Sequence, residues 1–314
     1  MKQTFLSSLW GAVAIVAGLG LLALPAAASA ADEQTFDSPA QAVNALVAAA
    51  KIDDTNAIHR IFGPEGRDLV SPDAVQADQG FKLFVKRLAE KAALINNSDS
   101  NVTLNLGLDG WPFPIPLVRQ DDKWFFDTAA GGQEILNRRI GMDELGAIGV
   151  CEGYVDAQYE YASEDRLSDG VYAYAQFLWS TPGMHDGLYW PAKNPGDELS
   201  PLGPLIADAH AAGYHHTAEM FNNRQAPYHG YYFRILTRQG KHAPAGKYNY
   251  LINNRMLAGF ALVAWPAKWG NTGVMTFIVN QQGKVYQKNL GPKTVKIATA
   301  MNTYDPDETW TLAR

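Results

Sequence analysis

The feature that most restricts how this chain folds is a change of hydrophobic period between residues 94 and 102. Before it, apolar residues recur at three- and four-residue steps; in "NVTLNLG" Val102, Leu104 and Leu106 instead alternate with Asn101, Thr103 and Asn105. The first pattern gathers apolar side chains on one face of a helix, and the second sets them on one face of a strand whose other face stays wet. Helices followed by an antiparallel sheet imply an α+β layer.

The local signals fill in that outline. In "FDSPAQAVNALVAAA", Ser38 is a helix N-cap and Pro39 the first helical residue, with Val43, Leu46 and Val47 at helical spacing. A second helix fits residues 54–62, stopped by Gly63 and Pro64. A third fits 80–94, where Phe81, Phe84, Val85, Leu88 and Ala92 share a face. "IPLVRQDDKWFFDT" reads as a hairpin turning near Gln120 to Lys123, which closes a helix-plus-sheet domain over 31–130. "AGGQEILNRRIG" makes a connecting helix over 131–142. Asp143 then caps a long helix over 143–163, whose stripe is Leu145, Ile148, Cys151, Val155 and Tyr159, although Gly146, Gly149 and Gly153 weaken its first half. A short helix ends near Gly213. The strands "YYFRIL", "KYNYLIN", "GFALVAWPA", "VMTFIVNQ" and "KVYQKNL" follow, the last two joined at Gln282 and Gly283, and a helix over 293–301 closes the chain. The expectation is two α+β domains, each of helices packed on an antiparallel sheet, the second spanning 143–314. A length of 314 residues suits that number.

Residues 1–30 read as a secretory signal peptide. Lys2 is the positive end, an apolar run extends from about Leu9 to Leu24, and Ala28, Ser29 and Ala30 form the small-residue cleavage site. The run is too short for a bilayer span, and no later segment is apolar enough, so the mature chain is expected to be periplasmic or secreted with no membrane span. A net charge of -6 with no basic run argues against nucleic acid as a partner, because phosphate binding needs concentrated positive charge. Cys151 is the single cysteine, so no intrachain disulfide forms.

The stretches "WPFPIPLV", "WFFDTAAGGQEILNRRIG", "YVDAQYEYAS", "GLYWP", "SPLGPLI", "YHGYYFRIL", "GFALVAWPA" and "TGVMTFIVNQQGKVYQKNLG" together resemble the bacterial exported family known as domain of unknown function 2950. The resemblance runs from about Phe36 to the C-terminus and brings no catalytic residues with it. The helices and sheet before residue 130 resemble the cone-shaped nuclear-transport-factor-like pattern. The long helix followed by "GYYFRIL" and "FALVAWPAKWGNTGVMTFIVNQQGKV" is similar to the globular heads of type IV pilins and pseudopilins. Unlike a pilin, the helix begins at Asp143 behind a folded domain, which speaks against filament assembly by the pilin route.

Several clusters bear on chemistry. His210, His215, His216 and Glu219 lie within ten residues, but Gly213 interrupts them and no HExxH pattern is present, so they are weak metal candidates. Asp165, Ser168 and Asp169 before Gly170 are similar to a calcium loop, yet Leu167 and the missing terminal glutamate weaken the match. Asp121 and Asp122 read as a solvated turn. Cys151 sits on an apolar helix face, where a cysteine is normally inert packing. In "PYHGYYFRIL", His229 and Tyr231 flank Gly230 at the entry to a strand, and together with Tyr189, Trp190 and Arg234 they are the candidate ligand-facing residues. No phosphate loop, GxGxxG or GxSxG occurs, so no metal and no cofactor is expected. The expected function is therefore an exported, non-enzymatic protein that binds an envelope protein or a glycan. The alternatives are an enzyme acting on an envelope polymer through a pocket around His59, Trp111, Trp124 and Asp127, or a structural subunit of an envelope assembly.

Overall fold

The computed structural model describes residues 33–313 apart from 68, 193, 195 and 215–226. The expected signal peptide and cleavage after Ala30 fall outside the described residues, as do His215, His216 and Glu219. The fold is α+β. Among the described residues no helix is long and apolar enough to cross a membrane.

The N-terminal layer packs three helices on an antiparallel sheet. α1 (Pro39–Lys51) starts where Ser38 accepts a hydrogen bond from the Gln41 amide, and α2 (Thr55–Phe62) starts where Asp54 accepts from the Ala57 amide. α3 (Ala74–Glu90) begins six residues before the start read from the sequence and ends earlier, because Asp73 caps it by accepting from the Val75 and Gln76 amides. Ala92 and Leu94, read as the helix end, belong instead to β1 (Ala92–Ser98), a largely exposed edge strand. β1 pairs with β2 (Asn101–Leu106), which also pairs with β3 (Trp111–Pro112) and β4 (Leu117–Gln120); β4 turns into β5 (Lys123–Phe126). Asp121 and Asp122 make that turn with both φ angles positive, +50° and +61°, as a two-residue hairpin requires. On β2 the alternating face, Val102, Leu104 and Leu106, is buried beside Leu46, Ile61 and Phe126.

One helix then serves both layers. α4 runs unbroken over Thr128–Ala162, about 52 Å at 1.5 Å per residue, so the expected break between a connecting helix at 131–142 and a second helix from Asp143 does not exist. Asp127 caps it by accepting from the Ala130 amide, whereas Asp143 is completely buried in mid-helix. The buried stripe is also rotated from the expected one. Ile148, Cys151 and Val155 are buried as expected, but Leu145 and Tyr159 are exposed, and Ala147, Val150, Tyr154, Gln158 and Tyr161 face inward with the buried three. Two of the helix glycines have a packing reason. A Cβ on Gly131 would stand 2.7 Å from the Ile115 Cα, and one on Gly146 would stand 3.3 Å from the His229 Cβ.

The C-terminal layer places α4 against a five-stranded antiparallel sheet in the order β16-β15-β14-β13-β8. Its strands are β8 (Tyr231–Leu236), β13 (Ala261–Pro266), β14 (Met275–Asn280), β15 (Tyr286–Asn289) and β16 (Thr311–Leu312). All six residues of β13 are buried, because α4 covers one face of the sheet and α6 (Thr294–Ala300) packs on β13 as well. Short pairs complete the layer: β9 (Arg238–Gln239) with β10 (Tyr248–Asn249), β11 (Leu251–Ile252) with β12 (Arg255–Met256), and the parallel β6 (Phe177–Trp179) with β7 (Gly187–Tyr189). α5 (Gly203–Ala211) precedes Gly213, whose φ is +84°. The two layers have separate apolar cores, one around Leu46 and Phe126, the other around Tyr154 and Trp265.

Candidate functional site

The five ligand-facing residues expected from the sequence have separate sets of partners. Tyr231 is fully buried, and its hydroxyl donates to the Met275 carbonyl at 2.8 Å. Arg234 points to the end of α6, where its Nη2 donates to the carbonyls of Ala298, at 2.9 Å, and Met301. The Tyr189 ring packs on Trp179 with centroids 4.3 Å apart. His229, at φ +46°, sits between the rings of Tyr228 and Tyr214, at 4.3 and 5.6 Å. Trp190 belongs to a recess of its own.

That recess has a volume of about 260 Å³, is open to solvent, and is lined by His185, Trp190, Pro191, Asp197 and Glu198. The parts fix one another. His185 stacks on Trp190 at 4.2 Å and an interplanar angle of 15°. The Trp190 indole N–H donates to the Glu198 carbonyl at 3.0 Å, and the Arg166 guanidinium lies 5.6 Å from the same ring. Arg166, almost entirely covered, pairs with Glu198, whose second oxygen is 3.4 Å from His185 Nδ1. Asp197 accepts from the Asn194 amide at 2.8 Å. The arrangement buries Trp190 beneath His185 and leaves the partly exposed His185 ring, with carboxylates beside it, facing the recess.

A second cluster is buried where the two layers meet. Asp73 accepts four hydrogen bonds: Oδ1 from the Val75 and Gln76 amides at 3.0 and 3.2 Å, Oδ2 from the Tyr214 hydroxyl at 2.8 Å and the Gly230 amide at 3.3 Å. Asp143 Oδ1 accepts from Gln76 Nε2 at 2.5 Å. Burial first, and then the nearby Asp73 and Glu144 carboxylates, push the Asp143 carboxyl up to about 7, against the opposing pull of Gln76 and Arg139. Burial pushes His229 the other way, below the ordinary imidazole range, while Asp73 resists that shift. Nothing in the sequence reading singled out Asp73 or Asp143 as a pair. The signals were present, since Asp73 precedes a run of good helix formers as an N-cap does, and Asp143 falls in phase with Ala147, Val150 and Tyr154.

The remaining candidates are tied to their own surroundings. Asp165 accepts from the Asp169 and Gly170 amides, which hold its carboxyl below the usual range, and Asp169 pairs with Arg255. His210 is exposed in the last turn of α5. In the N-terminal layer, the guanidiniums of Arg87 and Arg138 lie over the Trp111 ring at 5.1 and 5.4 Å, Trp124 pairs with Arg119 across β4 and β5, and His59 sits in the last turn of α2. Asp127 is used as the α4 cap. Burial raises the Cys151 thiol, which is packing rather than a nucleophile. Among the described residues, no three His, Cys, Asp or Glu side chains are grouped so as to hold a metal ion.

A family model described as "Protein of unknown function (DUF2950)" matches residues 33–313. No curated protein and no solved structure matches the chain.

Proposed function

The chain belongs to the DUF2950 family of proteins of unknown function, and from that premise we propose that it is an exported, non-enzymatic binding protein that takes a glycan in the Trp190 recess. The observation that carries this reading is the stacked His185–Trp190 pair beside the carboxylates of Asp197 and Glu198. Sugar rings present apolar C–H faces and a rim of hydroxyls, so an aromatic platform edged by acceptors is complementary to them. The interlock of Arg166, Glu198, His185 and Trp190 supports binding because a preformed site loses little side-chain freedom when it is occupied.

Export rests on the apolar run before Ala28, Ser29 and Ala30, with cleavage after Ala30. The pilin-head likeness of the C-terminal layer rests on a long helix laid along a five-stranded antiparallel sheet, and the envelope is the compartment it suits. A second reading, an envelope protein as partner, is favoured by one surface. Tyr159, half exposed, leans on Tyr174 and Phe260 at 6.2 and 5.5 Å, and nearby Tyr172 is 65% exposed.

Titrating the purified chain with soluble peptidoglycan fragments and bacterial polysaccharide, read by heat and by tryptophan fluorescence, tests the glycan reading. Saturable binding that weakens about fivefold in His185→Ala is expected, because an aromatic stack contributes about 1 kcal/mol. Binding unchanged by His185→Ala, or no response to any saccharide, overturns it. Release of reducing ends during the titration would instead make the protein an enzyme.

A further inference from the structure

Asp143 holds the one carboxylate oxygen that the site described above leaves unexplained. The residue is fully buried, Oδ1 is occupied by Gln76, and Oδ2 has no hydrogen-bond partner among the described residues. Gln158, on the same buried stripe of α4, is the contrast. Its Nε2 donates to the Ala175 carbonyl at 2.9 Å and to the Tyr154 hydroxyl at 3.0 Å, while its Oε1 accepts from the Ala175 amide at 2.8 Å. A buried acceptor left bare is costly, and a carboxyl has one inexpensive remedy, which is to take up a proton.

The geometry around Gly230 shows what that proton would control. The Gly230 amide donates to Asp73 Oδ2, and a Cβ on Gly230, whose φ is +70°, would stand 2.5 Å from Asp143 Oδ2. Two carboxyl groups therefore converge on the backbone of one residue. Asp73 comes from the N-terminal layer, as the cap of α3. Asp143 comes from the helix that both layers share, and Gly230 introduces β8 of the C-terminal layer. We propose that Asp73, Asp143 and Gly230 form a proton-operated latch between the two layers, closed when Asp143 carries a proton and loosened when it gives the proton up.

The neighbouring charges support this assignment. From the start of α3, Asp73 repels an ionised Asp143. On α4 itself, Arg139 attracts it and Glu144 repels it. Arg139 is already engaged with the Leu69 carbonyl and with Asn271 Oδ1 at 3.1 Å, and Glu144 accepts from the Val274 and Met275 amides at 2.9 and 3.0 Å. From the C-terminal layer come His229, whose proton affinity burial reduces, and the hydroxyls of Tyr214 and Tyr231, whose pKa values burial raises. The only strong cation in the set is thus already committed to other oxygens. The folded chain holds its Asp143 proton up to about pH 7, against an ordinary carboxyl value of 3.8. Between those values the folded state binds a proton that the unfolded chain does not. The stabilisation is therefore complete below the lower value and is lost as pH rises through the upper one.

The test is melting temperature against pH for the full chain, together with hydrogen-exchange protection of the Val75, Gln76 and Gly230 amides. In the wild type, melting temperature and these protections are expected to fall from about pH 5 to about pH 8, the protections by about tenfold. In Asp143→Asn, which imitates the protonated acid, both are expected to stay level. Parallel pH curves for the two proteins, or protection lost evenly along the chain, would overturn the latch. Should that variant not fold, Gln76→Ala removes the hydrogen bond that lowers the Asp143 pKa, so the wild-type midpoint must move to higher pH. A midpoint that stays in place also overturns it.

Discussion

The middle and the C-terminal half of α4 solve the same problem differently. Both put a polar side chain on the buried stripe. Around Gln158 every polar atom is matched, so the segment near Ala175 is fastened to the helix by a neutral amide whose hydrogen bonds do not change with pH. Around Asp143 one oxygen stays bare, and a second carboxyl stands nearby. The first arrangement fixes structure. The second makes structure depend on a proton, and it does so where the two apolar cores are joined by a shared helix.

The largest expected effect that sharpens this contrast is at Gln158. Gln158→Leu leaves the buried Ala175 amide and carbonyl without partners, so chemical denaturation should show a loss of about 3 kcal/mol, the same at acid and neutral pH. Asp143→Asn should act in the opposite direction above neutral pH, raising stability by about 1–2 kcal/mol at about pH 8 and by little at about pH 5. If the destabilisation by Gln158→Leu varied with pH, while the stability difference between wild type and Asp143→Asn did not, the distinction between the two regions would be broken. The smallest effect concerns the glycines beside them. Gly149 is exposed in mid-helix with open space where a Cβ would go, so Gly149→Ala should stabilise by about 1 kcal/mol in a thermal melt. Gly146→Ala should gain less or lose, because its methyl would press on His229.

Much of the fold was legible because its signals are local. Ser38 and Asp54 announce helix starts, Val102, Leu104 and Leu106 announce a half-buried strand, and Asp121 with Asp122 announces a tight turn. The start of α3 was misplaced because its first two turns, from Ala74 to Gly80, carry Val75 as their single large apolar residue, and β1 was missed because an exposed edge strand needs no alternation. The division at Asp143 failed for a more instructive reason. An aspartate before a helical run looks like a cap, and only the approach of Gln76 and Gly230 from elements 67 and 87 positions away reveals a buried acid inside one continuous helix. The candidate sites were less legible still. Trp190 was recognised as an aromatic of interest, but His185, Arg166 and Glu198 became its partners through loop packing that no periodicity encodes.

The sequence by itself determined the layer class, most element identities and the family, because period, caps and turn chemistry act over a few residues at a time. Tertiary structure alone decided that α4 belongs to both layers, that Tyr231 and Arg234 serve the core and a helix end, and that Asp73 meets Asp143. Burial and the juxtaposition of distant charges set a carboxyl's proton affinity, and neither exists until the chain has closed on itself.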